Sequence, residues 1–284
     1  MQNGGASQGN LSDRVHWDLV HDRVHAEPAR GVGGRLAHRL FGAAFFERYF
    51  ERLFWDGAFR QFVDKPAGST LLEIGSAPGL NLIRLCRKFQ FQPWGIEYSP
   101  VGATANRATF GREGYPETNL IEGDIFDEQL IQAHENRFDI VYSAGLIEHF
   151  ENPRDLIARH VRLAAPGGFI VITVPNLHGV NAFLLKVLNP ALLDIHNLEL
   201  MKLDNFRQAF ADCGAEMKYS GLLGFFDSDI VFAPVTPMGR LIAPLLMRFN
   251  LLVNAAAHMA LRGRKCESQS TSPFVVAILR KPAR

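Results

Sequence analysis

The stretch with most to offer chemically is Glu73-Ile-Gly-Ser-Ala-Pro-Gly79, where the apolar run Thr70-Leu71-Leu72 stops at a carboxylate and passes through two glycines into a helical pattern. Glycine at 75 and 79 lets the backbone turn tightly and lie against a ligand. The amides that open the following helix point at the same place. Later apolar runs close in a similar way: Glu97 after Pro93-Trp-Gly-Ile, Asp124 in Glu122-Gly-Asp-Ile-Phe126, and Ser143 after Phe138-Asp-Ile-Val-Tyr. A carboxylate accepts hydrogen bonds through two oxygens and attracts cations. A glycine turn ringed by such groups suits a small molecule that carries hydroxyls and positive charge.

These groups need a frame to bring them together. After Lys65-Pro-Ala-Gly68, short apolar runs alternate with helical patterns. The pattern predicts strands over 70–74, 93–97, 119–121, 138–143 and 169–174. Helices are predicted over 80–89 and 101–110, with another opened by Pro153 and ended by Pro166-Gly-Gly168. Strands separated by helices mean βαβ units and a parallel, doubly wound sheet. Such sheets bind ligands at the carboxyl ends of their strands, near the point where strand order reverses. Glu73, Glu97, Asp124 and Ser143 all fall at those ends and should line one crevice.

A dinucleotide would want Gly-x-Gly-x-x-Gly after the first strand. Here Ala77 stands where the middle glycine belongs, and Pro78 removes a backbone donor that a pyrophosphate would use. The motifs in order, Glu73 to Gly79, Gly95-Ile-Glu97, Gly123-Asp-Ile125, Phe138 to Ser143 and Leu163-Ala-Ala-Pro-Gly-Gly168, instead resemble those of the class I S-adenosylmethionine-dependent methyltransferases. The resemblance spans about Thr70 to Pro175. It implies a Rossmann-like sheet of seven strands whose last strand runs antiparallel, and the pattern agrees, with a helix over 203–213 and strands over 217–223 and 273–279. It also implies S-adenosylmethionine as cofactor. Gly75, Ser76, Ala77 and Gly79 would then lie beside its methionyl and ribose portions, with Glu73 near the ammonium group. Glu97 would take the ribose hydroxyls and Asp124 the adenine amino group, the Ile125 amide a neighbouring ring nitrogen. Tyr98 and Ile125 would flank the ring, and the backbone around Ser143 would touch the methionyl end.

Methyl transfer is an in-line displacement at a carbon already activated by sulfonium, so alignment matters most, contributing roughly 7–11 kcal/mol. A base helps where the acceptor must lose a proton. The candidate is His149 in Gly145-Leu-Ile-Glu-His-Phe150, just past the fourth strand, with His178 and His196 behind it and Asn197 as a further acceptor contact. Similar quinone O-methyltransferases hold a divalent metal through Glu-x-x-Glu-His. Gly145 occupies the first Glu position here, so no metal site is predicted.

Thirty Lys and Arg against 29 Asp and Glu give no global field that would draw in nucleic acid, and no basic stripe or appended recognition module supports one. Cys86, Cys213 and Cys266 are odd in number and far apart, which points to a reducing cytoplasm rather than a disulfide framework. Residues 1–10 read as a flexible tail without signal-peptide character. Residues 11–64 read as a helical cap containing Trp17 and an aromatic face at Phe41, Phe45, Phe46, Tyr49, Phe50, Leu53 and Phe54. That face either packs on the main domain or roofs an acceptor pocket. The domain proper runs 65–284, with an insertion over about 227–271 between the last two strands. In it, a helix from Pro244 to Arg262 carries Arg248, Asn250, Asn254, His258 and Arg262 on one side and Leu245, Leu246, Phe249, Leu252, Val253 and Met259 opposite. The polar stripe argues against a transmembrane span. Core packing, cover for a hydrophobic acceptor, and membrane-surface (244–265) or homodimer contact stay open. The expected acceptor is a small or medium hydrophobic molecule methylated on oxygen. A sugar or glycan acceptor and a non-catalytic cofactor-binding adaptor are the alternatives.

Overall fold

The structure, a computed structural model, describes residues 10–12, 17–18, 48–228, 235–261 and 266–283. The expected aromatic positions Phe41, Phe45 and Phe46, and Arg262, lie outside them. A helix over 49–62 (α1) is wound as a π-helix through Arg52–Phe59. The alternating part begins with β1 (Thr70–Ile74), α2 (Leu80–Phe89), β2 (Gln92–Glu97), α3 (Pro100–Arg112), β3 (Leu120–Glu122) and α4 (Glu128–His134). It continues with β4 (Phe138–Ala144), α5 (Arg154–Leu163), β5 (Ala164–Pro175), α6 (Gly179–Leu188), α7 (Ala191–Asp194) and α8 (Leu203–Ala209). The chain closes with β6 (Glu216–Leu223), α9 (Pro237–Ala260) and β7 (Phe274–Arg280).

The seven strands form one sheet in the order β3-β2-β1-β4-β5-β7-β6. All neighbours are parallel except where β7 meets β5 and β6, so the antiparallel last strand is present. Both faces are covered, which is why the strands read as nearly continuous apolar runs. Leu72, Ile74, Val141, Ile170 and Ile172 turn towards a core shared with Ile157 and Val161 of α5 and Phe206 of α8. Leu71, Ile140 and Val171 turn to the other face, against Phe54 and Phe59 of α1, Leu82 and Cys86 of α2 and Phe110 of α3. Each such side chain, fully buried, contributes about 1.5–3 kcal/mol. The described aromatic residues of α1 are therefore core: Phe50 stacks on Phe274, and Trp55 meets Tyr142 edge-on.

Strand order reverses between β1 and β4, and their carboxyl ends open the crevice. Local chemistry sets the elements there. Ser99 caps α3, its hydroxyl accepting the Gly102 amide, with Pro100 in the first turn. Helix α9 starts seven residues before the position expected from Pro244. Thr236 caps it and Pro237 opens it, which leaves Pro244 in the interior.

Candidate functional site

Loop 75–79 floors the crevice. Gly75 and Gly79 take φ values of +74° and +87°, left-handed backbone that a side chain resists. From α3, Asn106 donates through Nδ2 to the Ser76 hydroxyl. A Cβ on Gly79 would stand 2.2 Å from the Asn106 side-chain oxygen, and one on Gly95 would stand 2.4 Å from Ser76 Oγ. Loop, strand and helix therefore close on each other only with glycine at both places. The Ser76 hydroxyl accepts from Asn106, while its amide donates to the Ile96 carbonyl and its carbonyl accepts the Gly79 amide, so the residue is fixed as part of the support.

Glu97 is 4% exposed. Its two oxygens accept the amides of Ala77 at 3.0 Å and Ser99 at 2.9 Å. The carboxylate is oriented by the frame before a ligand arrives, and a carboxylate oxygen can accept a second donor. Glu73 is also buried, and its Oε2 has no hydrogen-bond partner. Burial, with the Glu97 charge nearby, pushes its pKa up to about 8. A cationic ligand group is what such an orphaned acid lacks.

Two expected cofactor contacts stand differently from their sequence reading. The Ser143 hydroxyl turns into the helical layer and bonds His160 Nε2 at 2.9 Å, while His160 Nδ1 faces the Leu156 carbonyl at 2.7 Å. Burial pushes His160 down to about 4, so the ring is neutral and accepts from the hydroxyl. Only the backbone of Ser143 remains for a ligand. The Ile125 side chain is 8% exposed and packed within the core, which leaves little of a side-chain face for a ring. Tyr98 is 40% exposed at the end of β2. Asp124 is exposed, and one of its oxygens caps its own turn by accepting the Phe126 amide.

Across the crevice, Leu146 approaches the loop, its Cδ1 lying 3.8 Å from where a Gly75 Cβ would be. It leads into the short turn Ile147–His149. His149 is 4% exposed, and its Nδ1 faces the Ile195 carbonyl at 3.0 Å, which sets the tautomer with the lone pair on Nε2. The His196 ring lies 4.4 Å from it, centroid to centroid, with Nδ1 on the Leu192 carbonyl. Sequence reasoning ranked these two separately; the fold joins them. His178 does otherwise, pairing its Nε2 with the Leu198 carbonyl at the start of α6. Asn197 is a strut, its amide nitrogen on the Glu148 carbonyl and its side chain on those of Phe150 and Glu151.

Glu148, Trp17, Asp18, Asn10 and Leu11 join this region without having been among the candidate site residues. Glu148 is fully buried with neither carboxylate oxygen partnered, and burial pushes its pKa up to about 8. Glu148, His149 and His196 each offer a ligand atom, the three atoms lying within 4.8 Å of one another. Two imidazoles and a carboxylate are a donor set that could hold a divalent cation. Gly145 removes one carboxylate from the local motif, but the fold brings His196, 47 residues further on than His149, into the set. Trp17 meets the His149 ring edge-on at 4.9 Å, and next to it Asp18 accepts the Ser99 hydroxyl. Two consecutive residues thus link the His149 ring to Ser99, whose amide Glu97 accepts. Asn10, assigned to the tail, bridges to Phe150, and the Leu11 amide donates to the His149 carbonyl at 2.7 Å. A surface pocket of about 280 Å³ lined by Phe59, Lys65, Lys88 and Phe91 lies at the amino ends of β1 and β2, away from these groups.

The comparisons with known proteins bear on this crevice. A family model of a methyltransferase domain matches residues 45–219. Ajmaline N-methyltransferase of Rauvolfia serpentina is 27% identical over 116 residues, 40% of this chain and 39% of that protein. A chloroplastic protein of Oryza sativa subsp. japonica named as a tocopherol O-methyltransferase is 28% identical over 104 residues, 36% of this chain and 28% of its own. The chain thus spans two fifths or less of the length of these relatives. Among solved structures, phosphoethanolamine N-methyltransferase 2 of Haemonchus contortus, in complex with S-adenosyl-L-methionine, has the same fold. It superposes with a TM-score of 0.52 at 16% identity, over 99% of this chain and 61% of that one.

Proposed function

The chain belongs to the class I S-adenosylmethionine-dependent methyltransferases, and from that premise we propose that it methylates an oxygen of a small or medium hydrophobic acceptor. When bound, S-adenosylmethionine supplies a methyl group already activated by its sulfonium. The residues present fit that cofactor. Glu73 has an unpartnered buried oxygen for its ammonium group, the glycine loop lets backbone approach, and Glu97 stands ready for the ribose diol. In this reading the Tyr98 ring and the Ile125 amide receive the adenine, and the exposed Asp124 takes its amino group.

The observation that carries the choice of oxygen is the His149–His196 ring pair beside the crevice. A neutral imidazole with its lone pair on Nε2 can accept a proton, and a hydroxyl must lose one to become a methyl ether, whereas a neutral amine can attack before it does. Trp17 against His149 makes that wall apolar on one side, which supports a hydrophobic acceptor. Burying the ring also keeps competing water away from the transfer. His178, whose Nε2 pairs with the Leu198 carbonyl and which is not part of the ring pair, is given no role in this reading. The free state of Cys86, Cys213 and Cys266 supports a reducing, cytoplasmic setting.

The test has two stages. Calorimetry with S-adenosylmethionine and S-adenosylhomocysteine comes first, and absence of binding to either sinks the reading. Transfer of a labelled methyl group to phenols, enols, sugars and amines then follows, with the methylated atom located by NMR. Turnover on phenols or enols is expected. Turnover on amines or sugars alone assigns a different acceptor, and binding without turnover assigns an adaptor.

A further inference from the structure

Helix α9 is built inside out. An amphipathic helix of a soluble domain ordinarily turns its apolar stripe to the core. Here the buried positions are Gly239, Asn250, Asn254, Ala255 and Ala257. Leu241, Leu245, Met247, Phe249, Leu252 and Met259 are 53–75% exposed. Of the polar side that periodicity separates, Asn250 and Asn254 point inward, whereas Arg248 is exposed together with the apolar side.

Hydrogen bonds hold it that way. Asn254 Oδ1 accepts the Tyr49 amide at 2.8 Å, capping the start of α1 from a different helix. Asn250 Oδ1 accepts the Ser228 amide at 3.0 Å, and its Nδ2 donates to Asp227. Rolling α9 to hide its leucines would strip these buried amides of their partners. The outward face is therefore a fixed feature of the fold.

Its charge identifies the occupant. Between 237 and 260 there is no Asp or Glu, and the only full charges are Arg240 and Arg248, both exposed. The sequence directly beyond adds Arg262, Arg264 and Lys265. Helix α6 packs against α9 and brings exposed Val180, Phe183 and Lys186. A second copy placed face to face would set arginine against arginine with no carboxylate on α9 to pair it. The helix is long and apolar enough to cross a bilayer. Crossing, however, would draw Arg240 and Arg248 into hydrocarbon and pull the asparagines from Tyr49 and Ser228. A lipid surface with anionic headgroups satisfies both sets of groups, the leucines entering the acyl boundary and the arginines meeting phosphate. We infer that the exposed face of α9, about 36 Å long at 1.5 Å per residue, docks flat on an anionic bilayer surface. This docking does not depend on which acceptor the crevice takes.

Sedimentation of the full chain with vesicles tests it. Binding to phosphatidylglycerol vesicles should exceed binding to phosphatidylcholine vesicles by roughly tenfold or more, and added salt should weaken it. The double variant Leu245→Glu/Leu252→Glu should lose vesicle binding at least tenfold with its thermal midpoint unchanged, because both side chains face solvent. Arg240→Gln/Arg248→Gln should lose mainly the preference for anionic lipid. Absence of binding to either vesicle overturns the inference. So does a dimer in sedimentation velocity that the double glutamate variant disperses, since it would give the face to a second copy.

Discussion

Glu73 is the residue whose behaviour is most sharply determined by its surroundings. Burial and the Glu97 charge raise its pKa to about 8, so the free protein holds it protonated at pH 7. An ammonium group placed on its orphaned oxygen lowers that pKa, and the proton leaves as the ligand binds. Affinity for S-adenosylmethionine should thus rise with pH from the acid side until the ligand's own ammonium group begins to lose its proton. At pH 7, calorimetry in phosphate and in Tris should give binding enthalpies that differ by the buffers' ionisation heats, and Glu73→Gln should abolish the difference. Glu97 is held by two amides, and Glu97→Ala should weaken cofactor binding by about 1.5–3 kcal/mol, the worth of charge-assisted hydrogen bonds. His149→Ala should lower turnover about 10²–10⁴-fold while cofactor affinity, measured by the same titration, stays put. Full activity of that variant would remove His149 from the proton step. Glu73 and Glu97 stand out in the sequence because each closes an apolar run. Glu148 does not, since nothing in Ile147-Glu148-His149 says that the acid is buried without a partner.

Among the elements, the glycine loop and α3 form a unit, and the unit can be tested through paired substitutions. Gly68 and Gly79 have nearly the same φ, +86° and +87°, but a Cβ on Gly68 meets nothing within 4 Å, whereas one on Gly79 runs into Asn106. Gly68→Ala should cost only the left-handed strain, about 1–2 kcal/mol of stability, with cofactor affinity unchanged. Gly79→Ala should cost more in a thermal melt and also weaken the cofactor, because the Asn106–Ser76 support must shift. Equal effects of the two on affinity would separate the loop from the site. The strands were legible since burial on both faces leaves an unbroken apolar signature, and β1 and α2 fall where periodicity puts them. Helix α9 was legible in its faces but not in its start or its orientation. Thr236 and Pro237 outcompete Pro244 as an opening, and the partners that draw Asn250 and Asn254 inward, the amides of Ser228 and Tyr49, lie 22 and 205 residues away.

At the scale of the whole molecule, the site is assembled from pieces that sequence order keeps apart. His149 receives Leu11 and Trp17 from the amino-terminal segment and Ile195 and His196 from beyond β5, so three stretches of chain close around one imidazole. Periodicity puts Trp17 in a helix and composition reads residues 1–10 as a tail, but neither can show that Trp17 and Asn10 meet β4's outlet, because such a contact leaves no local pattern. Among the described residues, neither core cluster includes one before Phe50. Of that segment, residues 10–12 and 17–18 stand outside both clusters, and removing residues 1–18 should leave the fold standing while opening the crevice. Deleting residues 1–18 should shift the thermal midpoint by no more than a few degrees. Turnover should fall at least tenfold and cofactor dissociation in stopped flow should quicken, because water then reaches the His149 wall and the Asp18 contact with Ser99 is lost. Trp17→Ala should reproduce the loss of turnover with little change in dissociation, since it uncovers His149 and leaves Ser99 engaged. Wild-type kinetics in both variants would mean that the segment merely rests on the crevice, and that β4, β5 and the loop from 195 to 200 complete the site without it.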